Sequence, residues 1–444
     1  MPSHKKIIGA LIVIALIARL GMLCINMQRH PEFFSIDAHN IQNNICSRET
    51  PYMHPFGYEI SNIAYALTCK GEGFASPFGG STGPTGWVAP GIVLVYALAF
   101  ALFGCFTQSS VLFMFVLSCC LSTIMLMVLY YTALMLFNSK AVAYISAGLF
   151  AISPQDIWLL GFGDQLDFNI YAFLLLINFF LFLRFAQSST KKRLLIFSAV
   201  AGISLLFNPV FVFPTASCLA YYLITHRHSR PAALKHVCVA VLIIVILILP
   251  YTIYQKQRLG VWTFIKSNGP YEIALGNSHD YKGVLVYDLF QSKHPGSNLD
   301  EYRDYTKMGE IRYIQSRFDC FKANFDMYRF VKLTIKRFLN FFFLFEPSLA
   351  PERYTSSRLL LDHISHALSG LSILIYLLVR YRKMRGPDYL VLLYIGAYAF
   401  PYMFAGIMYR YSFPICTLAT ILLGKSMHVV YEARHSRQCA RRVT

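Results

Sequence analysis

Charge is what this sequence has least of. Of its 444 residues 14% are charged, where a soluble domain carries about 25%. Acids are the scarcer sign, with 22 Asp and Glu against 40 Lys and Arg. Set beside 56% hydrophobic residues and a mean hydropathy of +0.48, the shortage excludes a soluble globular domain and makes the chain an integral membrane protein. The net charge of +18 does not imply a nucleic-acid partner. No helix-turn-helix, RNA-binding signature or zinc-finger spacing accompanies it, and membrane proteins concentrate Lys and Arg in cytoplasmic loops. The eleven cysteines form no CxxC and no metal-type spacing. Cys119 and Cys120 sit inside an apolar run. Cys46 and Cys69 share one loop, and either pair, if that loop faces an oxidising compartment, or remain two thiols. Internal repeats and low-complexity tracts are missing too.

Apolar runs are what the sequence has in plenty. A crossing takes about 20 apolar residues to span roughly 30 Å of hydrocarbon. Candidates lie at 7–27, 109–136, 140–155, 168–187, 193–208, 210–226, 235–254, 358–380, 388–407 and 411–431. The first follows Ser3-His4-Lys5-Lys6 and has the look of a signal peptide. Arg19 near its far end, and the want of a small-residue cleavage site, make it a retained signal anchor with a cytoplasmic N-terminus. The run 88–104 decides the topology. If it does not cross, Lys191–Arg193, His226–Arg230, Arg380–Arg385 and Arg434–Arg442 all fall on the cytoplasmic side; if it crosses, all fall on the wrong one. It is therefore read as a helix in the outer leaflet. The expected fold is an all-α polytopic membrane protein of about ten transmembrane helices, forming one unit. Three outer segments result: 28–108 with juxtamembrane helices, 156–167, and the long 255–357, whose end RFLNFFFLFEP rests on the outer interface.

With so few carboxylates, those beside the membrane carry information. Glu59 opens a helical periodicity (Ile60, Ile63, Ala64, Leu67) and precedes the turn-rich GEGFASPFGGSTGPTGW. At a helix start it is also simply an acid favoured by the dipole. Asp156, Asp164 and Asp167 crowd the second segment, with Asp164 and Asp167 on one face if helical, and one of them serves equally as an N-cap. In the third segment Lys266, Asn268, Asn277 and His294 lie among Gly, Pro and aromatics, the texture of an ordered binding loop. Arg410 and Tyr411 stand between the last two spans, where an Arg is either a headgroup anchor or a phosphate partner. A carboxylate can deprotonate an acceptor, and cations can hold a departing phosphate. The residues thus reach lipid-phosphate chemistry on the outer face.

At these positions the chain resembles the GT-C superfamily of polyprenyl-phosphate-sugar-dependent glycosyltransferases. The similarity is to the bacterial branch related to protein O-mannosyltransferases and lipid A aminoarabinose transferase. It is carried by GYEISNIAYALTCKGEGFASPFGGSTGPTGWVAP, then SPQDIW, LDFNIYAFLLL, FNP, LPYTIYQKQRLGVWTFIKSNGPYEIALGNS, HPGSN and RYSFP, in that order over nearly the whole chain. The resemblance implies an acid in the first outer loop that activates the acceptor, another in the second, and basic groups that grip the donor phosphate. By position these are Glu59, Asp164 or Asp167, and Lys266 or Arg410. Tyr58, Asn268, Asn277, His294 and Tyr411 would bind substrate. Phe56-Gly57 stands where many relatives carry Asp-Glu; Glu59 is the favoured base, with Asp164 and Asp167 supporting it or binding a divalent cation, and the alternative is that Glu59 positions substrate while Asp164 or Asp167 transfers the proton.

The expected activity is inverting transfer of a sugar from a polyprenyl phosphate to a cell-envelope lipid, glycan or protein, at the periplasmic face of a bacterial inner membrane. No cofactor is required. A divalent cation is compatible with the acids but not demanded by them, since they are not ligand-spaced. Expected partners are the lipid-linked sugar, the acceptor and membrane lipid, with no nucleic acid. Two rivals are a glycolipid transporter or flippase, which would favour charges at mid-span and internal repeats, and a non-enzymatic scaffold. Arg19 is the one feature on the transporter's side.

Overall fold

The computed structural model describes residues 4–29, 59–153, 166–343 and 356–443. Every regular element among them is a helix, with two isolated bridges (Ala75 with Pro84, Phe264 with Lys266) besides. In hydrocarbon a spanning segment must satisfy its own backbone polar groups, and the long apolar runs do so as helices. These are α1 (His4–Arg29), then α2 (Glu59–Thr68) and α3 (Pro90–Phe103), followed by α4 (Gln108–Phe137) and α5 (Lys140–Ala151). Next come α6 (Leu166–Gln187), α7 (Lys191–Phe207), α8 (Val212–Thr225) and α9 (Arg230–Leu259). Between α9 and the last three helices lie α10 (Gly269–Gly276), α11 (Tyr287–Lys293), α12 (Leu299–Met308), α13 (Glu310–Ala323) and α14 (Met327–Phe343). The chain closes with α15 (Ser356–Arg380), α16 (Gly386–Ala399) and α17 (Phe413–Val443). Polar caps set several boundaries. Thr107, Ser139 and Thr190 each accept a hydrogen bond from the backbone N–H three residues on, at the starts of α4, α5 and α7.

A helix matches each of the ten expected spans. Five stretches among the described residues are long and apolar enough to cross by themselves: Lys6–Ile25, Gln108–Phe137, Asp167–Gln187, Arg227–Leu259 and Arg410–Ser436. Others are shorter than a bilayer, such as the 12 residues of α5 and the 14 of α8, and are walled in by longer neighbours. Contacts between helix ends fix the direction of each. At one end Tyr222 bonds Ser189 and His236, Lys425 lies over Phe137, and Arg380 pairs with Asp388. Lys191–Arg193, His226–Arg230 and Arg380–Arg385 gather there. At the other end Phe207 touches Gly91, Arg410 lies over Phe168, and Arg19 meets the end of α5.

Helix α3 has both ends on this second side. Its 14 residues reach about 21 Å, short of the roughly 30 Å needed. Leu94, Leu98 and Leu102 form an exposed stripe at four-residue spacing, while Ile92, Val93, Tyr96 and Phe100 are buried against the bundle. With both ends on the loop side, the helix runs along the bundle by its buried face and turns the leucine stripe outward. Cys69, at the end of α2, is bonded to Cys105, just after α3. The pairing considered from sequence, Cys46 with Cys69, is replaced by this one; Cys46 falls outside the described residues.

The loop side carries a core of its own. Phe78 and Trp87 from the first loop pack with Tyr271, Leu275, Tyr281, Leu289, Tyr305 and Tyr313 of the third segment. Glu310, at the start of α13, is the buried polar joint between the two. It accepts from Thr85 Oγ1, the Gly86 N–H, Ser267 Oγ and Tyr305 Oη. Burial raises its pKa, and these four donors pull it down in part. Removing one partner of such a network costs about 1–3 kcal/mol for each group left unsatisfied. The first loop and the long third loop therefore form one cap over the bundle.

Candidate active site

Glu59 sits in the first turn of α2, its side chain about a quarter exposed. Its Oε1 lies 3.2 Å from Nε2 of His294. His294 is buried, and its Nδ1 accepts the Gly296 N–H at 3.0 Å. The ring is boxed by Phe290 at 4.3 Å, Phe78 at 5.4 Å, Trp87 at 6.0 Å and Tyr271 at 6.1 Å. Burial works to raise the Glu59 carboxyl. Burial is the largest single influence, but the hydrogen bond and charge of His294, a backbone N–H and the field of Arg410 together hold the carboxyl below an ordinary glutamate. Glu59 is thus an anion at neutral pH with one oxygen held.

Lys266 comes from the turn after α9. Gln255 of α9 reaches into that turn, donating to Ile265 O at 2.9 Å and accepting from Thr263. Ile265 adopts φ +66°, a conformation β-branched residues rarely take, and is fully buried. This strained corner directs the next residue, Lys266, toward the carboxylates. Burial lowers the Lys266 ammonium, and Glu272, Glu59 and Asp167, in that order, oppose the shift in part. Glu272 is in the first turn of α10, where Asn268 donates to it at 3.1 Å. Burial raises Glu272; Lys266 and His294 pull it back.

Arg410 and Tyr411 lie in the turn before α17. The Arg410 guanidinium stands 5.3 Å over the Phe168 ring, which itself stacks on Tyr411 at 5.7 Å. Asp167 is buried in the first turn of α6, beside Phe168. That turn position matches the cap reading of Asp167 as well as a chemical one. The backbones of α10 and residues 405–406 touch, and a Cβ at Gly276 would overlap Gly406. Gly406 N donates to Glu272 O at 3.0 Å, so the arm bearing Arg410 and the helix bearing Glu272 are stitched together.

The fold therefore brings Glu59, Asp167, Lys266, Asn268, His294, Arg410 and Tyr411 to one place, from four separated stretches of chain. Asp164 and Tyr58 lie outside the described residues. Asn277, read from sequence as a substrate contact, is committed elsewhere. It donates to Ile273 O and Phe404 O and accepts from Arg337, which is buried and also bonds Gly276 O and Met403 O. Its position at the end of α10 explains the polar side chain: it ties down the carbonyls a helix leaves open. Sequence reasoning passed over Glu272, although the scarcity of acids that singled out Glu59 applies to it equally. Among the described residues no group of three or more His, Cys, Asp or Glu is placed to hold a metal. Glu59 with His294, or Asp167, could at most contribute single ligands.

Residues 88–254 match the family model for dolichyl-phosphate-mannose-protein mannosyltransferase, a stretch from α3 to near the end of α9 that is well under half the chain. No curated protein matches in sequence. In structure the chain is similar to the oligosaccharyltransferase AglB from Archaeoglobus fulgidus, in complex with an inhibitory peptide and a dolichol-phosphate. The TM-score is 0.52 at 13% identity, covering 99% of this chain and 52% of that one. The apo form of the Archaeoglobus fulgidus oligosaccharyltransferase gives a TM-score of 0.51 at 13% identity, with the same coverages. ArnT from Cupriavidus metallidurans bound to undecaprenyl phosphate overlaps more loosely, with TM-score 0.40, 11% identity and coverages of 92% and 78%. The chain spans about half the length of the oligosaccharyltransferases it matches. The likeness to the oligosaccharyltransferases is one of fold, over 99% of this chain, and the family model adds a match over residues 88–254.

Proposed function

We propose that the chain is an inverting membrane glycosyltransferase that takes a sugar from a polyprenyl phosphate and delivers it to an acceptor on the outer face of the membrane. The observation that carries this reading is the meeting of an anionic Glu59 with Lys266 and Arg410 beneath a cap joined to the membrane helices. Glu59 removes the proton from the acceptor hydroxyl or amine as that atom bonds to the anomeric carbon. The sugar–phosphate C–O bond breaks with its electron pair going to the phosphate. Lys266 and Arg410 stabilise the charge that grows there. Such a displacement passes through an oxocarbenium-like state, as in glycoside hydrolysis. Asp167, at the rim of the same cluster, supports the base or contributes a ligand to a divalent cation. Asn268 and Tyr411 line the approach of the substrate.

Several observations support the reading. The matched family is described by a dolichyl-phosphate-linked sugar, and the fold is that of an oligosaccharyltransferase bound to a dolichol-phosphate and an inhibitory peptide. The outer, periplasmic placement draws on the basic clusters at the opposite end and on the Cys69–Cys105 bond, which belongs in an oxidising compartment. The transporter reading loses its main feature. Arg19 is buried, donates to Ser122 Oγ, Ala15 O, Ala151 O and Phe150 O, and lies 5.2 Å over the Phe150 ring. It closes the end of α5 rather than lining a path through the membrane.

Lipid and glycan profiling of a deletion strain tests the proposal. A polyprenyl-phosphate sugar should accumulate while one envelope glycan, lipid or protein loses a single sugar. Unchanged lipids and glycans would remove the proposal.

A further inference from the structure

His294 was expected to touch substrate, yet its surroundings leave it little freedom to do so. Four aromatic rings enclose the imidazole, and the residue is 4% exposed. It ends α11, and its own N–H caps that helix by donating to Phe290 O at 3.0 Å. The next turn folds back on it: the N–H groups of Ser297 and Asn298 donate to its carbonyl at 2.9 and 2.8 Å. The Gly296 N–H donates to Nδ1 at 3.0 Å. That bond makes Nδ1 the acceptor nitrogen, so the ring proton is on Nε2. Nε2 in turn is 3.2 Å from Glu59 Oε1. The imidazole thus has both nitrogens assigned before any substrate arrives, one to the backbone of its own turn and one to the carboxylate.

We propose that His294 is the positioning residue of the base: its Nε2–H, fixed in tautomer by the Gly296 N–H, holds Glu59 Oε1 and leaves Oε2 to take the acceptor's proton. This inference rests on the reading of Glu59 as the base. It reassigns His294 from the substrate to the catalytic carboxylate. It also gives the turn HPGSN, residues 294–298, a purpose. Gly296 must present its N–H to the ring, and Asn298 caps α12 by accepting from Asp300 N and Glu301 N, which anchors the turn from its far side. Orienting a base through a second group that is itself oriented by a third is a general device of activated sites.

The groups facing Glu59 are His294, Arg410, Lys266, Glu272 and Tyr411, drawn from the α11–α12 turn, the turn before α17, the turn after α9, and α10. Among the described residues, His294 is the side chain within hydrogen-bond distance of the carboxylate. Losing it should therefore act on the rate and on the acid limb together. His294→Phe keeps the ring in its aromatic box and deletes the donor. His294→Gln carries an amide nitrogen to about the Nε2 position; His294→Asn carries one only to the Nδ1 position.

The test measures kcat, KM and the pH profile of transfer for the purified full chain in liposomes, beside Glu59→Gln. A charge-assisted hydrogen bond of ordinary strength predicts a fall in kcat of about 10- to 100-fold for His294→Phe, with KM for the lipid donor little changed. The acid limb should move to higher pH, because the influence that held Glu59 low is gone. His294→Gln should recover most of the rate and return the limb; His294→Asn should not. Equal behaviour of the Gln and Asn variants, or a His294→Phe enzyme with parental kcat and limb, overturns the inference even if the Phe variant folds poorly. If Glu59→Gln is itself active, the reading of Glu59 as base fails. If Glu59→Gln is inactive and the His294 variants are normal, only the role of His294 fails.

Discussion

Lys266 is the residue through which the site should announce itself in a pH profile. Burial lowers its ammonium, and the carboxylates of Glu272, Glu59 and Asp167 only partly restore it. Its positive charge is what would hold the donor phosphate, and that charge is lost as pH rises through the lowered pKa. The alkaline limb of kcat/KM is expected below the ordinary lysine value of about 10.4. Lys266→Arg, which stays charged, should move that limb upward even if it lowers the rate. A limb unmoved by Lys266→Arg would take Lys266 out of phosphate binding. Four of the polar groups here could be picked from sequence because the chain has so few of them in an apolar setting: Glu59, Asp167, Lys266 and Arg410. Glu272 could not be told from Asp280, Asp288 or Asp300, since which acids of a long loop turn inward depends on the tertiary fold. Asn277 misled for the converse reason. A polar residue among Gly and aromatics has the same local texture whether it meets a ligand or closes a helix end.

Among the elements, α3 carries the topology. Its sequence is as apolar as a crossing helix, and only the placing of four distant basic clusters argued that it lies flat. In the structure that argument becomes direction. Both ends of the helix are on the loop side, and its exposed leucine stripe repeats every four residues. A reporter fused after Phe106 should register the outer compartment. A cytoplasmic signal there would reverse every later helix and place the candidate site on the inner face. Helix α14 was legible in a different way. MYRFVKLTIKRFLNFFF alternates basic and apolar residues at helical spacing, and the structure exposes Met327, Tyr328, Val331, Ile335 and Phe338 while burying Leu333, Arg337, Asn340 and Phe341. Of the aromatic end RFLNFFFLFEP read from sequence, residues 337–343 belong to this amphipathic helix and the rest lies outside the described residues. What the pattern could not reveal is Arg337, a buried cation turned inward to hold Gly276 O, Asn277 Oδ1 and Met403 O.

For the whole molecule, the all-helical architecture was readable because hydrocarbon admits few solutions: apolar runs become helices. The cap was not readable, because its order comes from long-range pairs. Trp87 against Tyr271, Phe78 against Tyr305, and Glu310 against Thr85, Gly86 and Ser267 join residues up to some 225 positions apart. Those pairs bring the first loop over the third and so bring Glu59 to His294 and Lys266. The polar, turn-rich sequence at 71–87 is part of the cap, and its Trp87 is a core residue there.

The most direct measurement of the central claim is release of free polyprenyl phosphate. The purified chain in liposomes would be given the polyprenyl-phosphate sugar fraction from the deletion strain, together with that strain's acceptor-containing membranes. The account predicts free polyprenyl phosphate and glycosylated acceptor in equal amounts, with Glu59→Gln slower by about 10²- to 10⁴-fold. Lipid-linked sugar that stays intact, or that only changes leaflet, would contradict it.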